Sequence, residues 1–406
     1  MKGVGHAKAV AEEEEKNAIR AEAAAARKRS AQLKVVLAGV AEKYTERVHR
    51  GLVSVPSDER SLPEDLDGSV LEHYVRSRPR KHILRLRKAL LGLAVESVAL
   101  LYPQAVLEVY GSIPLALDGE RSDIDVSIIS DVNETELLTR IADGIDACSL
   151  PSISVVRTLT ARIPLITLRD SLSGLELDLS IWKLDKLEIN KVFSTYLAMD
   201  PRIPPFLFAI RSWAKGRGIN DAYSGTINSF GLTVLGIAYL QVSGVVPVIE
   251  DLQGVEDEIA AAAAAGPLVA PSSTALTSAL VYGGGGVEAG DASSASTSAS
   301  ASASASASAS ASASVGDLLV AFFDWLVNEF DYRTQRVSIR HGGVTAKEAS
   351  KFDDDTVFCI ERPRTPYQNV TRQVSVDSMK KLSYEFRRAF EIVGGGGNLT
   401  TLCQSG

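Results

Sequence analysis

Residues 110–129 read Y-G-S-I-P-L-A-L-D-G-E-R-S-D-I-D-V-S-I-I. The run Val106-Leu107-Glu108-Val109-Tyr110 before them alternates as a strand, and Gly111-Ser112 is a tight turn at its end. Asp123 stands eleven residues after Ser112, and Asp125 lies two further on in a second strand, so both carboxylates point to one face. A third acid, Asp178, occupies the alternating run Leu175-Glu176-Leu177-Asp178-Leu179-Ser180-Ile181. Glycine lets backbone N–H groups approach phosphate oxygens, and carboxylates sharing a face suit Mg²⁺ or Mn²⁺ held together with a triphosphate. A D-x-D pair in a strand also occurs on solvated faces and at turn caps. Burying two acids unpaired is costly, and a cation removes that conflict. The residues predict a metal-dependent phosphoryl or nucleotidyl transferase. Ser112 as a nucleophile finds no histidine in a triad arrangement.

Working outward, residues 7 to about 50 are rich in Ala, Glu, Lys and Arg and predict a long helix. Its apolar residues gather at Leu33, Val35, Val36, Leu37 and Val40, so only its C-terminal half is expected to dock. A Pro- and Ser-bearing connector follows over 51–68, then a helix over 69–102 that Pro79 interrupts. Residues 104–185 are strand-rich with one helix at 134–147, which predicts a mixed sheet with helices on it. Helical periodicity dominates from 186 to about 250. Residues 254–315 hold a six-Ala run, a four-Gly run and an Ala-Ser repeat, and read as a disordered insert in a surface loop. Helical sequence resumes at Gly316, the last helix spans about 375–393, and the glycine-rich tail is expected to be loose.

The chain has 406 residues, 45% of them apolar, enough for two modest domains with packed cores. No apolar run reaches the length of a membrane span. Cys148, Cys359 and Cys403 are far apart, which excludes a disulfide framework and a zinc cluster. The net charge of −7 argues against indiscriminate nucleic-acid binding, so RNA contact needs a local basic patch. Arg76 to Lys88 supply one, which is either an RNA track or a solvated helix face.

The arrangement resembles the DNA polymerase β-like nucleotidyltransferases, and more narrowly the terminal uridylyltransferases and the related poly(A) polymerases. The likeness continues through Ser194–Asn220, Gly225–Gln241, Phe330–Gly343 and Ile360–Arg372, in family order. The short spacing from Asp125 to Asp178 and the long N-terminal extension are most similar to the trypanosomatid uridylyltransferases, in particular the small mitochondrial kind associated with an editosome-like complex. The resemblance implies an α+β, bilobal fold. It divides the chain into a helical extension and connector (1–60), a helix of the C-terminal lobe (61–103), a mixed-sheet palm (104–185), a helical base-recognition lobe carrying the insert (186–393) and a tail (394–406). It implies UTP and a single-stranded RNA 3′ end as substrates, no membrane, and a mitochondrial location, although Glu12–Glu15 do not suit a presequence.

The resemblance also implies residue roles. Asp123, Asp125 and Asp178 hold the metals, and Gly111 and Ser112 meet the triphosphate. Lys215 meets the γ-phosphate, with Arg211 one helical turn earlier at the place of a second lysine; the alternative is a helix-surface pair. Ser229 touches the triphosphate and Phe230 stacks on the base, unless Phe230 is simply a core residue. The ribose asparagine is displaced by one position, to Asn190. At the base-reading segment, Arg362 and Thr365 replace acids, and Gln368 replaces a histidine found in some members. Arg362 either donates to uracil O2 or O4 or pairs with Glu361 or Asp331. The rival readings are a poly(A)-adding enzyme of the same fold, a scaffold subunit without catalysis and a small-molecule nucleotidyltransferase.

Overall fold

A computed structural model of the chain describes residues 28, 61–129, 133–146, 150–161, 163–181, 184–249, 313–348, 351–352 and 357–404. Apart from Lys28, which is helical, the expected N-terminal helix lies outside the described residues, as do Cys148 and the insert up to Ser312.

Helix α1 (Leu66–Ser77) starts where the Asp65 carboxylate accepts from Gly68 N at 2.6 Å. It stops because Pro79 drives Arg78 into an extended conformation. Helix α2 (Lys81–Leu101) then buries Leu86, Leu90, Leu91, Leu93, Ala94 and Val98. The strands β1 (Val106–Tyr110), β2 (Ile124–Ile129), β3 (Ile153–Thr158), β4 (Leu165–Asp170) and β5 (Glu176–Ile181) form one sheet in the order β1-β2-β5-β4-β3. Only β2 and β5 run parallel; the other pairs are antiparallel. Helix α3 (Glu134–Asp146) joins α2 on one face of this sheet, over Ile124, Val126, Ile128, Leu177 and Leu179. Strand alternation turns Asp125 and Asp178 to the other face.

The second core belongs to α4 (Leu184–Met199), α5 (Ile203–Gly216), α6 (Ser229–Val242), α7 (Val315–Asp324), α8 (Val376–Gly394) and α9 (Leu399–Cys403). Helix α6 is apolar on every side, and Leu232 to Leu240 are all buried, so it runs through the middle of the lobe. At Gly236 a side chain would strike Leu207 of α5. Phe206, Tyr239, Phe322 and Trp325 pack ring against ring around it. Two short hairpins, β6–β7 (Gln335–Ser338 with Gly343–Ala346) and β8–β9 (Glu361–Arg362 with Thr365–Asn369), complete the lobe.

Two expectations change. The segment 61–103 divides between the cores: Val70 of α1 packs in the helical lobe, whereas α2 packs on the sheet, because the Pro79 break lets the two helices part. The tail is not loose from 398 on. Asn398 caps α9, Leu399 and Leu402 are buried, and Leu399 N donates to Ser69 Oγ at 3.0 Å. Among the described residues no helix is long and apolar enough to cross a membrane.

Candidate active site

The β1–β2 connection is held by both cores. Ile113 belongs to the sheet core, Leu115 and Leu117 to the helical one. Beneath the connection lies a buried ion cluster. Arg87, fully buried, pairs with Asp118 at 2.5 Å and donates to the carbonyls of Gly119 (2.6 Å) and Ser122 (3.0 Å). Arg78 meets Asp118 at 2.8 Å and Ala116 O at 2.6 Å. Arg80 pairs with Glu120. Three arginines of the basic patch therefore fasten the loop that leads to Asp123. Lys81, Arg85 and Lys88 of that patch remain exposed.

Across the open face of the sheet, register puts Tyr110 opposite Asp125, Asp125 beside Asp178, and Asp178 opposite Thr167. These four residues form a row over four strands. Thr167 Oγ1 donates to Asp178 Oδ1 at 2.6 Å, and Tyr110 Oη lies 3.2 Å from Ser180 Oγ. Burial, then the charge of Asp125, pushes the Tyr110 phenol well up, so it is neutral. Asp123 lies two residues before Asp125, just ahead of β2. Its carboxylate opens to solvent at the strand's start, yet surrounding protein raises its pKa through desolvation, followed by the charges of Asp178 and Glu176; Lys215 and Arg87 oppose them. Gly111 adopts φ +77°, and a Cβ there would collide with the Asp125 carboxylate.

Helix α4 ties this end of the site to the other. Asn190 Oδ1 accepts from Gly111 N at 3.2 Å. Three residues later, less than a turn along the axis, Phe193 packs against Phe230 with ring centroids 5.6 Å apart. The Arg362 guanidinium lies 5.6 Å from the Phe230 ring centre. Glu188, on the same helix, pairs at 3.0 Å with Arg364, which anchors the β8–β9 hairpin. Glu361 and Asp331 face other partners. Glu361 accepts from Ser338 Oγ (2.5 Å) and Tyr367 N (3.1 Å), and Asp331 from Arg333 N (3.0 Å) and Thr334 Oγ1 (2.8 Å).

The two cations of α5, Arg211 and Lys215, differ. Arg211 donates to Leu117 O at 3.0 Å. Withdrawal from water lowers its pKa to about 10, against the charges of Asp118 and Asp125, so it stays cationic at neutral pH. Lys215 is exposed, with its charge felt at Asp123. Ser229 opens α6, where Asn220 Nδ2 donates to its hydroxyl at 2.9 Å. Ser112 is half-buried beside Gly111, its carbonyl accepting from Leu117 N at 3.0 Å.

Among the described residues no three His, Cys, Asp or Glu side chains converge into a ready cage for an ion. The donor set nonetheless fits a divalent cation. Asp125 and Asp178 are neighbours in register, and burial, then the charges of Asp178 and Glu176, raises the pKa of Asp123, a cost that a cation would relieve. Sequence reading missed Thr167, the Arg87–Asp118 cluster and the role of α4. A threonine in a strand carries no signal, and the others need long-range contacts.

Comparison with solved structures gives the overall arrangement a relative. A Cid1 poly(U) polymerase with MgGTP bound superposes with TM-score 0.62 at 18% identity, over 83% of this chain and 98% of that one. Cid1 with the UTP analogue UMPNPP gives TM-score 0.60 at 18% identity, over 83% and 97%. The fold is that of the DNA polymerase β-like nucleotidyltransferases. A family model described as "Poly(A) RNA polymerase, mitochondrial-like, central palm domain" matches residues 66–198 of this nucleotidyltransferase fold, and one described as "Cid1 family poly A polymerase" matches 314–367. Poly(A) RNA polymerase cid13 of Schizosaccharomyces pombe is 26% identical over 306 residues, 74% of this chain and 48% of that protein. Poly(A) RNA polymerase GLD2 of Mus musculus is 25% identical over 325 residues, 75% of this chain and 60% of that one. The chain thus spans about half to three-fifths of the length of these relatives.

Proposed function

We propose that the chain is a template-independent RNA nucleotidyltransferase that moves UMP from UTP to an RNA 3′-hydroxyl and releases pyrophosphate. The observation that carries this reading is the pairing of Asp125 with Asp178 across β2 and β5, next to the positive-φ turn at Gly111. Asp123, Asp125 and Asp178 would hold Mg²⁺ or Mn²⁺. When bound, such a cation stabilises charge on the reacting phosphate and eases loss of the 3′-hydroxyl proton.

The chain's own groups do the rest. Asp178, whose Oδ1 accepts from Thr167 Oγ1, would take up that proton. The turn at Gly111, with Ser112, would meet phosphate oxygens beside the carboxylates. Lys215 supplies an exposed cation for the triphosphate, Ser229 a hydroxyl at a helix N-terminus. Arg211 braces the loop through Leu117 O and keeps further N–H donors for phosphate. Asn190, with its carbonyl on Gly111, presents its NH₂ to the sugar. Phe230, backed by Phe193, offers a ring to the base.

UTP is supported by the overall resemblance and by Arg362, a donor that matches the uracil carbonyls. ATP is the second reading, favoured by Arg362 standing in place of an acid and by the poly(A) names of the curated relatives. Extension of a 5′-labelled single-stranded RNA with each nucleotide, alone and in mixture, separates them. Extension chiefly with UTP supports the proposal, extension chiefly with ATP gives a poly(A)-adding enzyme, and no extension with any nucleotide favours a scaffold. Arg362→Ala should change the UTP-to-ATP ratio of kcat/KM by about tenfold or more, the worth of a charged hydrogen bond. The proposal extends to a mitochondrial enzyme working with an editosome-like complex. Organelle fractionation and co-purification of the tagged chain test those two points.

A further inference from the structure

Thr167 has no chemical task in this reading, yet its placement is specific. It is the Cα partner of Asp178 and only 7% exposed. Its neighbours Ile166 and Leu168 are fully buried in the sheet core, which holds β4 in place. Its hydroxyl donates to Asp178 Oδ1 at 2.6 Å. A carboxylate has about four acceptor positions on two oxygens, and a fixed donor on one of them sets the plane of the group. Branching at Cβ restricts the threonine rotamer, so the donor itself is held.

We propose that Thr167 is a positioning residue, which orients the Asp178 carboxylate toward a divalent cation held with Asp125. This rests on the nucleotidyl-transfer reading for its effect on turnover, and on the cation alone for its effect on binding. Groups that hydrogen-bond a metal ligand typically change metal affinity or activity by about 10- to 100-fold when removed.

The test compares Thr167→Val, which keeps the shape and deletes the hydroxyl, with Thr167→Ser, which keeps the hydroxyl. Thr167→Val should lower kcat by about 10- to 100-fold and weaken Mn²⁺ binding by about tenfold or more, followed by electron paramagnetic resonance of the free ion. Nucleotide KM should move by less than about threefold, since the lost interaction acts on the reacting centre. Thr167→Ser should restore both readouts toward wild type. Wild-type Mn²⁺ binding and kcat in Thr167→Val would overturn the inference. So would equal damage in both variants, which would mark a packing role. Thr167→Ala, read in the same way, stands in if the valine variant does not fold. A wild-type protein that binds Mn²⁺ and extends no RNA would sink the transfer reading and leave the Mn²⁺ comparison to decide on Thr167.

Discussion

At one end of the candidate site, Tyr110, Asp125, Asp178 and Thr167 stand side by side on four adjacent strands. At the other, Phe230 and Arg362 meet from a helix and a hairpin, brought together by contacts to α4. The first end is set by backbone hydrogen bonding. A slip of one residue would turn every side chain to the wrong face, so register and site stand or fall together. The second end is set by side-chain packing, where a change of one ring or one cation alters shape by degrees and leaves strand register untouched. In the proposed reading, chemistry that tolerates no misplacement is built on the sheet, and the choice of base is built where packing can vary.

The contrast is open to attack at both ends. The largest effect is expected at Asp125. Asp125→Ala should reduce RNA extension by at least about a thousandfold, about 4 kcal/mol of barrier, while circular dichroism and melting stay those of a folded chain. Activity within tenfold of wild type would show that the row does not carry the reaction.

Next comes the cluster that fastens the β1–β2 loop. Asp118→Ala leaves Arg87 buried without its carboxylate, and should lower unfolding stability in urea by about 3–5 kcal/mol. A loss below about 1 kcal/mol would mean that the carbonyls of Gly119 and Ser122 suffice.

At the base end, Phe230→Ala should weaken nucleotide binding by about 1–3 kcal/mol, seen as a higher KM with melting little changed. Phe230→Tyr should be near neutral. A fold broken by Phe230→Ala would place this ring in the core and not at the base.

The smallest effect concerns Asp123. Its folded-state pKa is raised, so the stability that its protonated form contributes is present at low pH and is lost as pH rises through that value. In metal-free buffer at neutral pH, Asp123→Asn should melt slightly above wild type, and the gap should close as the pH falls below the ordinary aspartate range. A lower melting point at neutral pH would reverse the sign of the electrostatic argument.

Part of this site is legible in the sequence. The alternation around Asp125 and Asp178 placed both acids on one face, and Gly111 marked the turn, because both signals are local. The Pro79 break was legible for the same reason. Arg78 and Arg87 were not. On the sequence they extend a basic patch, and only the fold shows them turned inward onto Asp118. The end of the tail misled as well, since its glycines hide the burial of Leu399 and Leu402.

What the order of residues settled alone was the strand-rich unit, the helical stretches that follow it and the shared face of Asp125 and Asp178, since period and punctuation act over a few residues. What required the tertiary structure was partnership. Thr167 beside Asp178, Asn190 on Gly111, Arg362 over Phe230 and α2 on the sheet are contacts between segments distant along the chain. Packing chooses such pairs by shape and by the need to satisfy buried polar groups, and no local pattern encodes that choice.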